Sequence, residues 1–507
     1  MKTRLWLPLL FLCASIFVPQ IVAQESRVLT PKFADAQTPI LINAVKPDDP
    51  TLIQAFDVDA TKVRRLILSV SEPRLLKRLE ARVGKEIVGA VVISDSTEST
   101  QVEIEVDAKS EGALTLWAVP SSDATPYDKI QIGVRSALLD GVEATCDAAP
   151  IEYRFGVLLR DVVWDGCSCY RIPGLARTNN GTLIAVYDAR WRGFPDLPAD
   201  IDVACSRSFD GGATWEPMQI AINFHAEDEK LEGVGDPSIL VDSQTGRIWI
   251  AALWAHNGKS YRASEPGLDP EKSGRLVLTW SDDDGETWSE PRDVTNEVEP
   301  DKDWRILFQG PGSGITTRDG KLVFPAQYVD SARVFHSTIV WSADRGETWK
   351  VGTGARDATC EAAVVELNDG TLMLNMRNTD NKTLARSIVT TDDLGESWKE
   401  HETSCKALEE PVCQASLIRM KSTLDGDDAN LLAFMNPASK KGRVDMTLKL
   451  SEDEGRTWTR ALTLYRPGSC GYSSLAKIDD ETLGVLYETN GGLIFQVVKI
   501  QDVPYVK

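Results

Sequence analysis

SFDGGATW, residues 208–215, is the first of five copies of one octapeptide. SDDDGETW follows from Ser281, SADRGETW from Ser342, TDDLGESW from Thr391 and SEDEGRTW from Ser451. The shared pattern, Ser/Thr-x-Asp-x-Gly-x-Ser/Thr-Trp, describes a self-capped turn. Its Asp and Ser side chains bond their own backbone, Gly takes a positive φ, and Trp folds over the turn. Copies spaced 49 to 73 residues apart mark a propeller, a solenoid or an array.

A second set of signals chooses among these. Hairpin turns lie between apolar runs at Asn180-Gly181, Thr245-Gly246, Asp319-Gly320, Asp369-Gly370, Asp425-Gly426 and Asp479-Asp480, and each of the first five precedes one octapeptide. Residues 170–215 show the unit: YRIPGLAR, turn, TLIAVYDAR, loop, DIDVACSRS, octapeptide, then EPMQIAI. That is a four-stranded antiparallel meander, with strands A to D. The sixth unit has YSSLAKI, TLGVLYET and LIFQVVKI but no fourth strand, and IEYRFGVLL (151–159) is predicted to supply it. An all-β protein follows, with a six-bladed β-propeller over 151–507 that leaves no open sheet edge. Residues 26–150 lack the octapeptide and alternate in KVRRLILSVS, TQVEIEVDA and GALTLWAV. They read as a small β-sandwich, for sugar binding or for bracing.

Residues 1–23 read as a cleavable signal, with Lys2 and Arg4 before an apolar run and Ala23 at the cut. Prolines interrupt the run, and no later stretch is long and apolar enough to span a bilayer. The expectation is a secreted or periplasmic protein. The formal net charge of −21 becomes two units more negative without Lys2 and Arg4, a field that repels nucleic acid and anionic membranes. An anionic small molecule then needs a local arginine cluster. Eight cysteines follow the signal (Cys146, Cys167, Cys169, Cys205, Cys360, Cys405, Cys413 and Cys470), and disulfides are permitted with no pairing fixed. Four scattered histidines and the lack of CxxC or HExxH spacing give no metal site and no cofactor requirement.

Propeller topology separates the two rims. The A–B turns and octapeptides share one rim; A-strand starts, B-strand ends and B–C loops share the other. The octapeptides are therefore structural, and a site belongs to the second rim. There the sequence places Arg171, Arg190 and Asp196 in unit one, Glu361 and Arg377 in unit four, Arg443 in unit five, and Tyr472 and Glu488 in unit six. Arginines from three units converging on one mouth fit a carboxylate or phosphate. Asp236, Gln309 and Trp254 are further candidates for the pocket.

YRIP followed by these repeats resembles the exo-sialidases of the six-bladed propeller type. The similarity continues through DAR, GVGDPSILVD, FQGPGSGI, LVFPAQY, EPVCQASL, GYSSL and LYE, and the front module resembles that of Bacteroides-type sialidases. The resemblance implies that Arg171, Arg377 and Arg443 grip the carboxylate of sialic acid and that Arg190 touches sugar hydroxyls. It assigns Tyr472 as nucleophile, Glu361 as its base, Glu488 as the carboxylate that orients Arg171, and Asp196 as acid/base over Asp200 and Asp202. Glu366, the rival of Glu361, lies towards the other rim. A tyrosine nucleophile is an exception among retaining glycosidases. The anomeric carbon of sialic acid bears a carboxylate, which a neutral phenol approaches without like-charge repulsion. Its pKa of about 10 demands a base. Asp196 is expected to start protonated. The implied activity is release of terminal sialic acid from sialylated glycans with retention; a trans-sialidase or a non-catalytic sialic-acid-binding propeller are the alternatives.

Overall fold

A computed structural model of the chain describes residues 40–43, 50–93, 100–224, 232–298, 303–380, 382–465 and 468–506; the signal reading of residues 1–23 lies outside them. Secondary structure is almost entirely strand. In the first propeller sheet Cys169–Arg177, Leu183–Arg190, Ile201–Ser208 and Gln219–Ile222 pair in chain order, all antiparallel. Among the described residues six such sheets succeed one another, each packing apolar side chains against the next. The third sheet departs from the simple meander. Its first strand is split into Ile306–Gln309 and Ile315–Thr316, and Gly312–Ser313 between them crosses to pair with the second sheet. Gly312 makes that crossing with φ 119°, a conformation that a side chain resists.

Ile151–Arg160 supplies the fourth strand of the last sheet, pairing Val157 with Phe495 and Leu158 with Ile494. The same strand does more than the sequence predicts. Its first half pairs Ile151–Arg154 with Lys129–Ile132 in the N-terminal module, so one nine-stranded sheet runs through both parts. The second sheet of that module, Thr51–Asp59, Ala113–Pro120, Leu76–Val83 and Glu86–Val92, faces the first across a single apolar core that includes Phe56, Leu66, Leu79, Ile104 and Ile132.

The octapeptides form the self-capped turn that their composition predicts. In the first, Ser208 Oγ donates to Asp210 Oδ1 at 2.9 Å and accepts from Gly212 N at 2.8 Å, while Thr214 N donates to Asp210 Oδ1 at 2.9 Å. The third repeats these bonds at 2.7, 2.8 and 2.9 Å. Burial works to raise the Asp283 carboxyl of the second copy, but bonds from Thr287 and Ser281 outweigh it and hold the group at about 2. Thr182 in the first A–B turn bonds Asp284 of the second octapeptide, and Arg345 of the third bonds Gln244 in the second A–B turn. Turns and octapeptides thus share one rim, leaving the other for the site.

Candidate active site

Arg171, Asp236, Glu361 and Tyr472 each sit where their inner strand loses its regular register. Bulges fall between Arg171 and Gly174, Gly235 and Ser238, Cys360 and Ala362, and Cys470 and Ser473. Ile172 and Asp236 take φ of 58° and 56° there. A bulge ends the period-two alternation and re-aims a side chain, here towards the propeller axis. The result is a cavity of about 230 Å³ whose wall includes Arg171, Asp196, Asp236, Glu361, Arg377, Arg443 and Tyr472.

Tyr472 and Glu361 meet at its floor. The phenol Oη donates to Glu361 Oε1 in a very short bond. Arg377 Nη1 donates to Glu361 Oε2 at 2.5 Å and to Tyr472 Oη at 3.0 Å. The guanidinium carbons of Arg171 and Arg443 lie 5.5 and 5.7 Å from the Tyr472 ring centre. Burial, together with the Glu361 charge, pushes the phenol well above its ordinary range, against the pull of Arg377 and Arg171. The free phenol keeps its proton, next to a carboxylate placed to take it and cations placed to stabilise the phenolate.

Arg171 is oriented from behind. Its Nε and Nη2 donate to Glu488 Oε2 and Oε1 at 3.2 and 2.9 Å, and Ile172 N donates to Oε2 at 3.1 Å. Burial opposes ionisation of Glu488, but the Arg171 charge and these bonds hold it below the usual carboxylate range. A side chain at residue 471 would collide with the Glu488 carboxylate, which explains the glycine of GYSSL. Arg443 donates Nη2 to the Val412 carbonyl at 3.1 Å and pairs with no carboxylate among the described residues.

Four expectations need correction. Arg190 is 1% exposed and is absent from the cavity wall. It donates Nη2 to Asp188 at 2.8 Å and Nη1 to Asp196 at 2.9 Å and to the Phe194 carbonyl at 2.6 Å, so it supports other site residues. Gln309 is 1% exposed and donates Nε2 to the Asp236 carbonyl at 2.5 Å. Trp254 stacks on Phe224 with ring centres 4.2 Å apart, on the face of its strand that alternation with Ile250 and Ala252 turns towards the first sheet. Asp196 does not have the raised carboxyl expected of a resting acid: burial raises it, but Arg190 and Arg171 together hold it below the ordinary value and favour its charged form.

The rivals fall away. Asp200 pairs with Arg192 at 2.5 Å, Asp202 accepts from Trp191 Nε1 at 2.9 Å, and Glu366 bonds Arg318 N on the other rim. Cys167 and Cys169 are unpaired, as are all eight cysteines among the described residues. Sequence reading missed the apolar wall of Leu197, Tyr261, Phe308 and Phe335, and Gln327, which accepts from Glu361 N at 3.2 Å. It also missed Asp188, which lies two residues before Arg190 on one strand and therefore on the same face. Asp188 Oδ1 accepts from Asp236 N at 2.8 Å, and burial raises Asp188 to about 6 despite Arg190. Asp236 is raised well above its normal value by burial and by the Asp188 and Asp196 charges.

Residues 181–485 match the model of the BNR repeat-like domain. A sialidase of Bacteroides fragilis is 44% identical over 402 residues, covering 77% of this chain and 73% of that protein. A sialidase of Micromonospora viridifaciens is 34% identical, covering 65% of this chain and 51% of the relative. A solved Hadza microbial sialidase superposes with a TM-score of 0.83 at 34% identity, covering 94% of this chain and all of that one. An intramolecular trans-sialidase from Ruminococcus gnavus, solved with oseltamivir carboxylate, shares the fold with a TM-score of 0.59 at 20% identity, over 68% of this chain and 96% of its own.

Proposed function

This chain belongs to the sialidase family, and from that premise we propose how its cavity carries out the exo-α-sialidase reaction. The protein is a glycoside hydrolase acting on sialylated substrates. One observation carries the mechanism: Tyr472 Oη is held between Glu361 and Arg377 in a cavity that also contains Arg171 and Arg443. Carboxylate binding alone needs the arginines, whereas a phenol bonded to a carboxylate that can accept its proton is what a nucleophilic step needs.

In our reading Arg171, Arg377 and Arg443 bind the sugar's carboxylate and set the anomeric carbon over Tyr472. Glu361 takes the phenol proton as Oη attacks that carbon, while Asp196 gives a proton to the departing glycosidic oxygen. The tyrosyl–sugar bond is then cleaved by water, which Asp196 deprotonates, and the phenolate recovers the proton held by Glu361. Two inversions at one carbon give net retention. Glu488 acts as a positioning residue through Arg171, and Arg190 as one through Asp196 and Asp188.

The test is release of sugar from a chromogenic sialoside, with the first-formed anomer followed by NMR. Retention of configuration with loss of turnover in Tyr472→Phe supports the reading; turnover at the wild-type rate in that variant rejects it. We also propose export through cleavage near Ala23 and a division into a 26–150 sandwich and a 151–507 propeller, with the first half of the strand Ile151–Arg160 shared with the sandwich. N-terminal sequencing of the mature protein and limited proteolysis test these two statements.

A further inference from the structure

Asp196 has one oxygen committed twice. Its Oδ1 accepts from Arg171 Nη1 at 3.1 Å and from Arg190 Nη1 at 2.9 Å, whereas no bond from the described residues reaches Oδ2. Two guanidiniums on one carboxylate favour its charged form. A carboxylate has no proton to give a leaving oxygen, so the free protein holds this group in the wrong state for the first step.

The two arginines are not equivalent. Arg190 is locked in place, with Nε and Nη2 on Asp188 and Nη1 also on the Phe194 carbonyl. Arg171 spends Nε and Nη2 on Glu488 and reaches Asp196 through Nη1 alone, while standing on the cavity wall. Glu488 therefore leaves an incoming anion the outward N–H groups of Nη1 and Nη2, and Asp196 takes one of those on Nη1 when the cavity is empty.

We propose that Arg171 has a second function: it keeps Asp196 ionised until the substrate's own carboxylate takes Nη1, so that binding an anionic sugar loads the proton used in the acid step. This rests on the carboxylate-binding role given above to the three arginines. Docking removes one bond from Asp196, brings a like charge close and excludes water, and all three changes favour the neutral acid. The groups facing Asp196 are the cations Arg171, Arg190 and Arg443 and, from the second sheet and its loop, Asp236 and Tyr261. Of these, only Arg171 holds Asp196 through a donor that a ligand anion can capture. The Asp196 side chain is 55% exposed, so the proton comes from solvent to Oδ2. It passes to the glycosidic oxygen as the C–O bond breaks, leaving Asp196 ionised to accept a proton from the attacking water.

Linkage fixes the sign. Between the Asp196 pKa in the free protein and its higher value in the complex, binding takes up a proton, and affinity falls tenfold per unit rise in pH. The experiment is calorimetric titration of the full chain with 2-deoxy-2,3-didehydrosialic acid, which cannot be cleaved, in buffers of different ionisation enthalpy near pH 6. We expect about one proton taken up per ligand bound in the wild type, and none in Asp196→Asn or with the methyl ester of the ligand. Binding without proton uptake overturns the loading role and leaves the carboxylate site standing. Uptake that persists in Asp196→Asn also overturns it. Failure of the acid to bind at all removes the carboxylate site itself, and this inference with it.

Discussion

Arg171 and Glu488, 317 positions apart, are joined by two hydrogen bonds of 3.2 and 2.9 Å across the junction of the first and last propeller sheets. Glu488 is 4% exposed, and removing one partner of a buried pair costs about 3–5 kcal/mol. Glu488→Ala should lower the denaturant midpoint and weaken binding of didehydrosialic acid in parallel. Glu488→Gln should recover most of the stability and less of the affinity. Wild-type affinity in the alanine variant would show that Arg171 needs no such support.

The same carboxylate gives a pH signature. Its folded-state pKa is depressed, so its contribution is fully present above the ordinary value of about 4.3 and is lost as pH falls through the folded value. Wild-type stability should therefore decline more steeply than that of Glu488→Gln on acidification below about pH 4. Parallel curves would remove Glu488 from the acid response.

Glu361→Gln keeps the shape of the floor but cannot accept the phenol proton. General-base losses are about 10²–10⁴-fold, and a fall of that size in kcat with a small change in KM is expected. Pre-treatment with a 2,3-difluoro sialoside, followed by peptide mass spectrometry, should place the label on Tyr472. A label on any other residue reassigns the nucleophile.

Below the site, Arg386 and Glu410 form a pair with both side chains fully buried, 2.7 Å apart. Arg386 also donates to the carbonyls of Cys413 at 2.8 Å and Asn375 at 2.9 Å, and Glu410 accepts from Asn378 N at 2.9 Å. These backbones flank Arg377 and Tyr472. Glu410→Ala should cost about 3–5 kcal/mol. Pairing Arg386→Met with Glu410→Met should recover only part of the stability, with kcat still low, because the Cys413 and Asn375 carbonyls and Asn378 N lose their partners. Recovery of both would make the pair purely structural.

Asp344→Ala should lower the thermal midpoint and leave kcat and KM unchanged, since its side chain's three hydrogen bonds, to Ser342 and Thr348, all lie within one octapeptide on the far rim. A change in kcat would mean that the two rims communicate.

The repeated octapeptides made the sheets legible, because each turn is chemically closed within eight residues. The arginines and Tyr472 were legible for a different reason: they fall at inner-strand starts, second-strand ends and the loops after them, where charged and polar residues have no place in an apolar stack. Arg190, Gln309 and Trp254 were misjudged because position along a strand gives the rim but not the face. The apolar wall was invisible, since Phe308 and Phe335 look like ordinary sheet residues until the cavity is closed. The charge state of Asp196, a loop residue, is set by Arg190 six positions before it and by Arg171 on a separate strand, and no reading of the local sequence supplies the second of these.

The strand Ile151–Arg160 holds Gly492–Lys499 on one half and Lys129–Ile132 on the other. Its consequence concerns the order of events during synthesis. The sandwich has all its strands as soon as residue 160 has emerged, and can present half of that strand as a preformed edge. The ring then waits for more than three hundred further residues before its last strand arrives to pair there, the kind of distant pairing that slows folding. Until then the waiting edge is a surface on which a second nascent chain can add its own last strand, so exchange of Gly492–Lys499 between molecules is the misassembly to which this architecture is most open.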